Sequence, residues 1–127
     1  ALHFLGQISP ERIPEVDRSA HLLYSADIHA ACPNAVVEAL ACGLPVVAFD
    51  TGALPELVRG HAGRIVPYGS DPWKLGPPDL NALAGAARQV LEEQDVYRQA
   101  ARSRAQAAFG LDAMVDAYLE VLLPDRL

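Results

Sequence analysis

The sequence predicts an α/β domain built on a mostly parallel sheet. Three observations predict it. Short apolar runs alternate with helical stretches through residues 1–66, the order of a sheet whose strands are joined by helices. Pro45-Val46-Val47-Ala48-Phe49 is a continuous apolar run, as expected of a strand buried on both faces. Gly43 stands between this run and the helical stretch before it, where a helix is expected to stop.

The elements follow in order. Residues 2–5 read as a first strand. Ser9 and Pro10 suit the N-cap and first position of a helix to about residue 19, which Pro14 shortens or distorts. Residues 21–24 form a second strand candidate. A helix is expected over residues 33–43, with Val37, Leu40, Ala41 and Leu44 as its core stripe. The third strand is the apolar run at 45–49. Asp50-Thr51-Gly52 turns into a short helix at 54–58, and Gly63-Arg64-Ile65-Val66 is the fourth strand. Residues 67–79 hold four prolines and two glycines and read as a loop. Three helices close the chain. Leu80, Leu83, Ala84, Ala87, Val90 and Leu91 make one apolar stripe. Leu111, Met114, Val115, Tyr118, Leu119 and Leu122 make another, and the more solvated stretch 95–108 lies between them. The expected fold is a Rossmann-like parallel sheet of about four strands flanked by helices, in a single domain spanning residues 1–127.

Bulk properties remove some functions. A length of 127 residues, 51% of them hydrophobic, suffices for one core. The net charge is −6 and no basic run is present, which argues against nucleic-acid binding. Cys32 and Cys42 lie in no zinc or CxxC pattern and suggest a reducing, intracellular setting. No apolar run approaches the roughly 18 residues of a spanning helix.

Ligands of parallel sheets sit beyond the carboxyl ends of the strands, so the strand-to-helix turns are where chemistry is expected. In the first, Ala30-Ala31-Cys32-Pro33 leads into a helix whose opening N–H groups, on Asn34, Ala35 and Val36, suit an anion. The alternative is an ordinary helix start that binds water. Glu38, four residues after Asn34, suits the two hydroxyls of a ribose, or is a solvated rim residue. In the second turn, Gly52 permits close ligand approach, and Pro55 and Glu56 suit a helix start. The alternative is a plain capped loop. His29 is either a donor contact or solvated, and Trp73 either a loop anchor or a lid over a base. No partnered base accompanies either cysteine, so neither reads as a nucleophile.

The string Asn34-Ala35-Val36-Val37-Glu38-Ala39-Leu40-Ala41-Cys42-Gly43-Leu44-Pro45-Val46-Val47-Ala48, followed by Asp50-Thr51-Gly52-Ala53-Leu54-Pro55-Glu56, resembles the family 4 (group 1) glycosyltransferases of GT-B fold. Their C-terminal domain carries E-G-[FC]-[GP]-N-x-x-x-E-A-x-A-x-G-x-P-V-V-A and then D-x-G-G-x-x-E. The resemblance extends to Gly6-Gln7-Ile8, to Ala26-Asp27 as the pair before the site strand, and to Gly63–Val66.

This resemblance implies the donor-binding part of a retaining glycosyltransferase that uses a nucleotide-diphosphate sugar, with no cofactor and no catalytic metal. It places donor contacts at Asn34, Ala35, Val36, Glu38, Gly52 and Ala53, with Glu38 on the ribose; it identifies no catalytic residue. It implies an N-terminal acceptor domain as partner, a cytoplasmic location, and peripheral contact with the inner membrane face only through that other domain. Two positions depart from the pattern: Ala30 stands where the family has the glutamate that holds the donor sugar, and Ala53 replaces the second glycine. In the family's sheet order this chain starts at the third strand and is incomplete on its N-terminal side. Residues 21–24 then form an open apolar edge, and the expectation is rearranged pairing of the first strand or a dimer through that edge. The alternatives are a non-catalytic module that binds a nucleotide sugar or another protein, and a nucleotide-sugar 2-epimerase-like domain.

Overall fold

The computed structural model describes residues 2–123. The chain forms α1 (Ile13–Ser19), β1 (Leu23–Ser25), α2 (Asn34–Ala41), β2 (Val46–Phe49), α3 (Leu54–Leu57), β3 (Gly63–Val66), α4 (Leu80–Glu92), α5 (Gln94–Ala108) and α6 (Leu111–Leu122). Single 3-10 turns at Pro10–Arg12 and Pro72–Lys74 complete it. The sheet is parallel in the order β1-β2-β3, with Leu23 opposite Val46 and Val46 opposite Gly63.

All four residues of β2 are buried. Successive side chains of a strand point to opposite faces. Val46 and Ala48 therefore join Val36, Leu40, Leu54 and Ala101 on one side, under α2, α3 and α5. Val47 and Phe49 join Val66, Leu83, Val90 and Tyr97 on the other, under α4. This is the three-layer arrangement expected of α/β alternation. Gly63 is required where β3 starts, because a β-carbon there would overlap the Val46 backbone.

The sheet differs from the expected one in its strand count, with three strands among the described residues rather than about four. Residues 2–5 form no strand, and Leu2, Phe4 and Leu5 are exposed. A strand needs a neighbour to receive its backbone hydrogen bonds, and none is offered here. Rearranged pairing of that segment is therefore not found, and the outer edge of β1 is open among the described residues. Ala26 and Asp27, matched above to a pair before the site strand, follow β1 and lie in the loop after it.

Helix faces also shifted. α2 buries Val36, Ala39 and Leu40, so its buried face takes in Val36, because α2 is held between the sheet and α5. α4 buries Leu83, Ala86 and Val90, while Leu80 and Leu91 stay exposed. The stripe of α6 meets no core: no residue of that helix is buried, and Met114, Tyr118 and Leu122 face solvent. None of the described helices is long and apolar enough to cross a membrane.

The solvated stretch α5 organises the rest. Tyr97, Ala101 and Ala105 face inward, and the small alanines allow close approach to α2. Its arginines reach the last carbonyls of three helices. Arg98 donates from Nη1 to Ala20 O at 2.8 Å and from Nη2 to Arg18 O at 3.1 Å, at the end of α1. Arg102 Nη1 donates to Ala41 O, at the end of α2. Arg104 donates to Leu57 O at 3.2 Å and Glu56 O at 2.8 Å, at the end of α3. Terminal carbonyls lack intrahelical partners and carry the negative end of the helix dipole, so cationic donors suit them. Arg98→Ala should cost about 1–3 kcal/mol in urea unfolding, as two carbonyls lose a charged donor. A loss below a few tenths would show that water replaces the guanidinium freely.

Candidate functional site

Helices joining parallel strands start beyond the strands' carboxyl ends. Two turns meet there. One follows β1 and leads into α2; the other joins β2 to α3. Three contacts lock them together. Thr51, itself buried, donates from Oγ1 to Asp27 O at 3.2 Å. The Ala53 N–H donates to Ala30 O at 2.8 Å. Gly52 has φ +54, and a β-carbon on it would lie 2.8 Å from Ala30 N and closer still to Ala30 O. The glycine is needed both for its left-handed backbone and for the absence of a side chain against residue 30.

The expected donors separate into free and occupied groups. Pro33 occupies the N-cap of α2 and makes no side-chain cap. The N–H groups of Asn34 and Ala35, both exposed, have no protein partner among the described residues. Val36, expected to offer a third donor, does not: its N–H donates to Pro33 O at 3.0 Å, and its side chain is 1% exposed. The first turn of α2 is tightened, and Val36 serves the core. Ala53 is likewise occupied, its N–H held by Ala30 and its methyl against the core. Pro55 and Glu56 belong to a single helical turn, α3, too short to sum an appreciable dipole.

Glu38 is exposed one turn along α2 and on the same side as Asn34. It faces α1. Burial raises the Asp17 carboxyl above its ordinary value, and the charge of Glu38 adds to that rise. No third carboxylate or thiol joins them: among the described residues no three His, Cys, Asp or Glu side chains gather as a metal site would require. Cys32 is a free, exposed thiol beside Pro33, and Cys42 is free and half-buried.

Two clefts flank the joined turns. One, of about 470 Å³, is lined by Asp27, His29, Ala30, Ala31, Cys32 and Pro33. The other, of about 200 Å³, is lined by Ile28, His29, Asp50, Gly52, Pro72 and Trp73. His29 belongs to both, and its ring stacks on Trp73 with centroids 4.2 Å apart and planes 21° from parallel. The sequence offered both residues as candidates without bringing them together. The loop from β3 to α4 does so, and it is anchored by Asp50, whose Oδ1 accepts the Tyr68 N–H at 2.9 Å. That support from Asp50 had no sequence signal beyond a carboxylate at a strand end.

The clasp makes a direct prediction. Gly52→Ala should separate the two turns, costing about 1–3 kcal/mol for the overlap with Ala30 and more for its positive φ. Chemical denaturation would measure it, and a neutral result would show that the turns are not held by this approach.

Comparison with known proteins follows the same outline. Residues 1–93 match a family model described as glycosyl transferases group 1. A phosphatidyl-myo-inositol mannosyltransferase of Mycobacterium tuberculosis is 35% identical over 108 residues, covering 77% of this chain and 25% of that protein. An O-antigen chain mannosyltransferase B of Escherichia coli is 27% identical over 103 residues, covering 81% of this chain and 24% of the relative. A solved structure of sucrose-phosphate synthase from Thermosynechococcus elongatus superposes with a TM-score of 0.73 at 27% identity, over 97% of this chain and 31% of that one. The chain thus spans about a quarter of the length of the curated relatives it matches.

Proposed function

This chain belongs to the group 1 glycosyl transferases, and from that premise we propose that it seats the nucleotide-diphosphate sugar donor of a retaining glycosyltransferase. The observation that carries the reading is the start of α2. Asn34 and Ala35 present two unpaired N–H groups at the positive end of a helix dipole, beyond the carboxyl end of the sheet, beside the Gly52 turn. These are the features a diphosphate needs. Glu38, one turn on, accepts the hydroxyls of the ribose. Val36 and Ala53 support this seat by packing and by fixing Ala30, rather than by donating to the ligand.

In this reading catalysis is electrostatic. As the bond from the anomeric carbon to the diphosphate oxygen breaks, its electrons leave with the diphosphate. The N–H groups of Asn34 and Ala35 already point at the charge that develops, so no reorganisation is needed at that moment. The acceptor is held by an N-terminal domain. The apolar stripe of α6, exposed along its length, supports the presence of such a partner surface. A second reading, a module that binds a nucleotide sugar without transferring it, is favoured by one feature: residue 30 is an alanine whose methyl packs on the core, so it offers no polar contact to a sugar.

Calorimetry with UDP, GDP and ADP tests the seat. At least one should bind, and Glu38→Ala should weaken it tenfold or more, the loss of a charged hydrogen bond. Unchanged affinity would remove Glu38 from the ribose. The open edge of β1 further suits pairing with a second copy of the chain. Sedimentation should then show a concentration-dependent dimer, and a monomer at all concentrations would discard that pairing.

A further inference from the structure

Trp73 is the only tryptophan of the chain, and it is 79% exposed. A tryptophan left in water forgoes a large apolar burial. Its exposure does not come from a slack loop. Asp79 N–H donates to Tyr68 O at 2.7 Å and closes the loop ends. Within the loop, Tyr68 Oη donates to Gly76 O and Ser70 Oγ to Pro77 O, each at 2.9 Å. Asp71 Oδ1 accepts the Trp73 N–H at 3.0 Å and caps the turn that carries it. A compact loop tied to itself at this many points holds the indole out by construction.

The indole lines the smaller cleft with the Gly52 turn and stacks on His29, which lines both clefts. The direction of a bound donor follows from residues on either side. A diphosphate at Asn34 and Ala35 has two substituents. Glu38 faces α1 and Asp17, and the proposed ribose contact assigns that side to the nucleoside. The His29–Trp73 pair lies on the other side, past residues 30–33 and over the β2–α3 turn. That side is left for the second substituent, the sugar. Its chemistry suits an aromatic platform: the C–H face of a pyranose ring packs on an indole, and an imidazole both donates to and accepts from ring hydroxyls. Ala30, between the two sides, offers no polar side-chain group.

We propose that the His29–Trp73 pair is the platform for the transferred sugar, a hexopyranose, and that these two residues determine which sugar is accepted. This rests on the reading that Asn34 to Glu38 seat a nucleoside diphosphate. Because Trp73 is the sole tryptophan, its emission reports directly on the platform. The 127-residue chain would be titrated with UDP, GDP and ADP and with UDP-glucose, GDP-mannose and ADP-glucose. The nucleotide sugar should change Trp73 emission beyond the change its own nucleoside diphosphate causes. By calorimetry, Trp73→Leu and His29→Ala should each weaken the nucleotide sugar about fivefold to tenfold, leaving the diphosphate within about twofold. Equal weakening of both ligands would place the base on the platform and overturn the proposal, as would no weakening of either. Failure of every nucleotide to bind the unaltered chain would instead sink the diphosphate seat, and the platform with it.

Discussion

One helix sets the polarity of this domain. α5 packs its alanines on α2 and sends Arg98, Arg102 and Arg104 to the ends of α1, α2 and α3. Every helix leaves its last carbonyls without internal partners, and burying them bare would be costly. By satisfying three such ends at once, α5 gathers the helix C-termini at the pole where the strands begin. The start of α2, with its free N–H groups, is thereby held at the opposite pole, where the strands end. The same contacts hold these cationic side chains at the helix C-termini, at the pole opposite the proposed anion seat. Backbone amides, rather than these arginines, are therefore what the seat offers.

The opposite pole depends on a backbone contact rather than on side chains. Gly52 lies against residue 30, Ala53 donates to Ala30 O, and Thr51 donates to Asp27 O. Two turns from separate βα units thus move as one. That explains why only part of each motif is available to a ligand. The Ala53 amide ties the two turns together and the Val36 amide closes the first turn of α2, while those of Asn34 and Ala35 remain free. Residues matched to one motif can therefore divide between building a site and touching what binds there.

The loop from β3 to α4 extends the same logic. Asp50 at the end of β2 fixes Tyr68, and Tyr68 packs edge-on against Phe49 with centroids 5.1 Å apart while its hydroxyl holds Gly76. A buried aromatic below thus steadies an exposed one above. The indole stands over the turns because the core reaches up to the loop through a single tyrosine.

Residues in a row determined much of this protein. The apolar run at 45–49 announced a central parallel strand, since only burial on both faces suits such a run. Gly63–Val66 and the starts of the helices at Asn34 and Leu54 were legible from glycine, proline and apolar spacing, which act within a few residues. The string from Asn34 to Glu56 carried the family and named the residues proposed as the site. What depended on distant partners was not legible. Among the described residues, 2–5 have strand character but no neighbour to pair with, and the stripe of α6 has helical spacing but no surface beneath it. Which amides of α2 stay free, and the meeting of His29 with Trp73 across 44 residues of chain, were decided by how the turns and the loop fold back on one another. Local propensity is written in short segments; hydrogen-bond partners and ring stacking across the sheet exist only once the layers have packed.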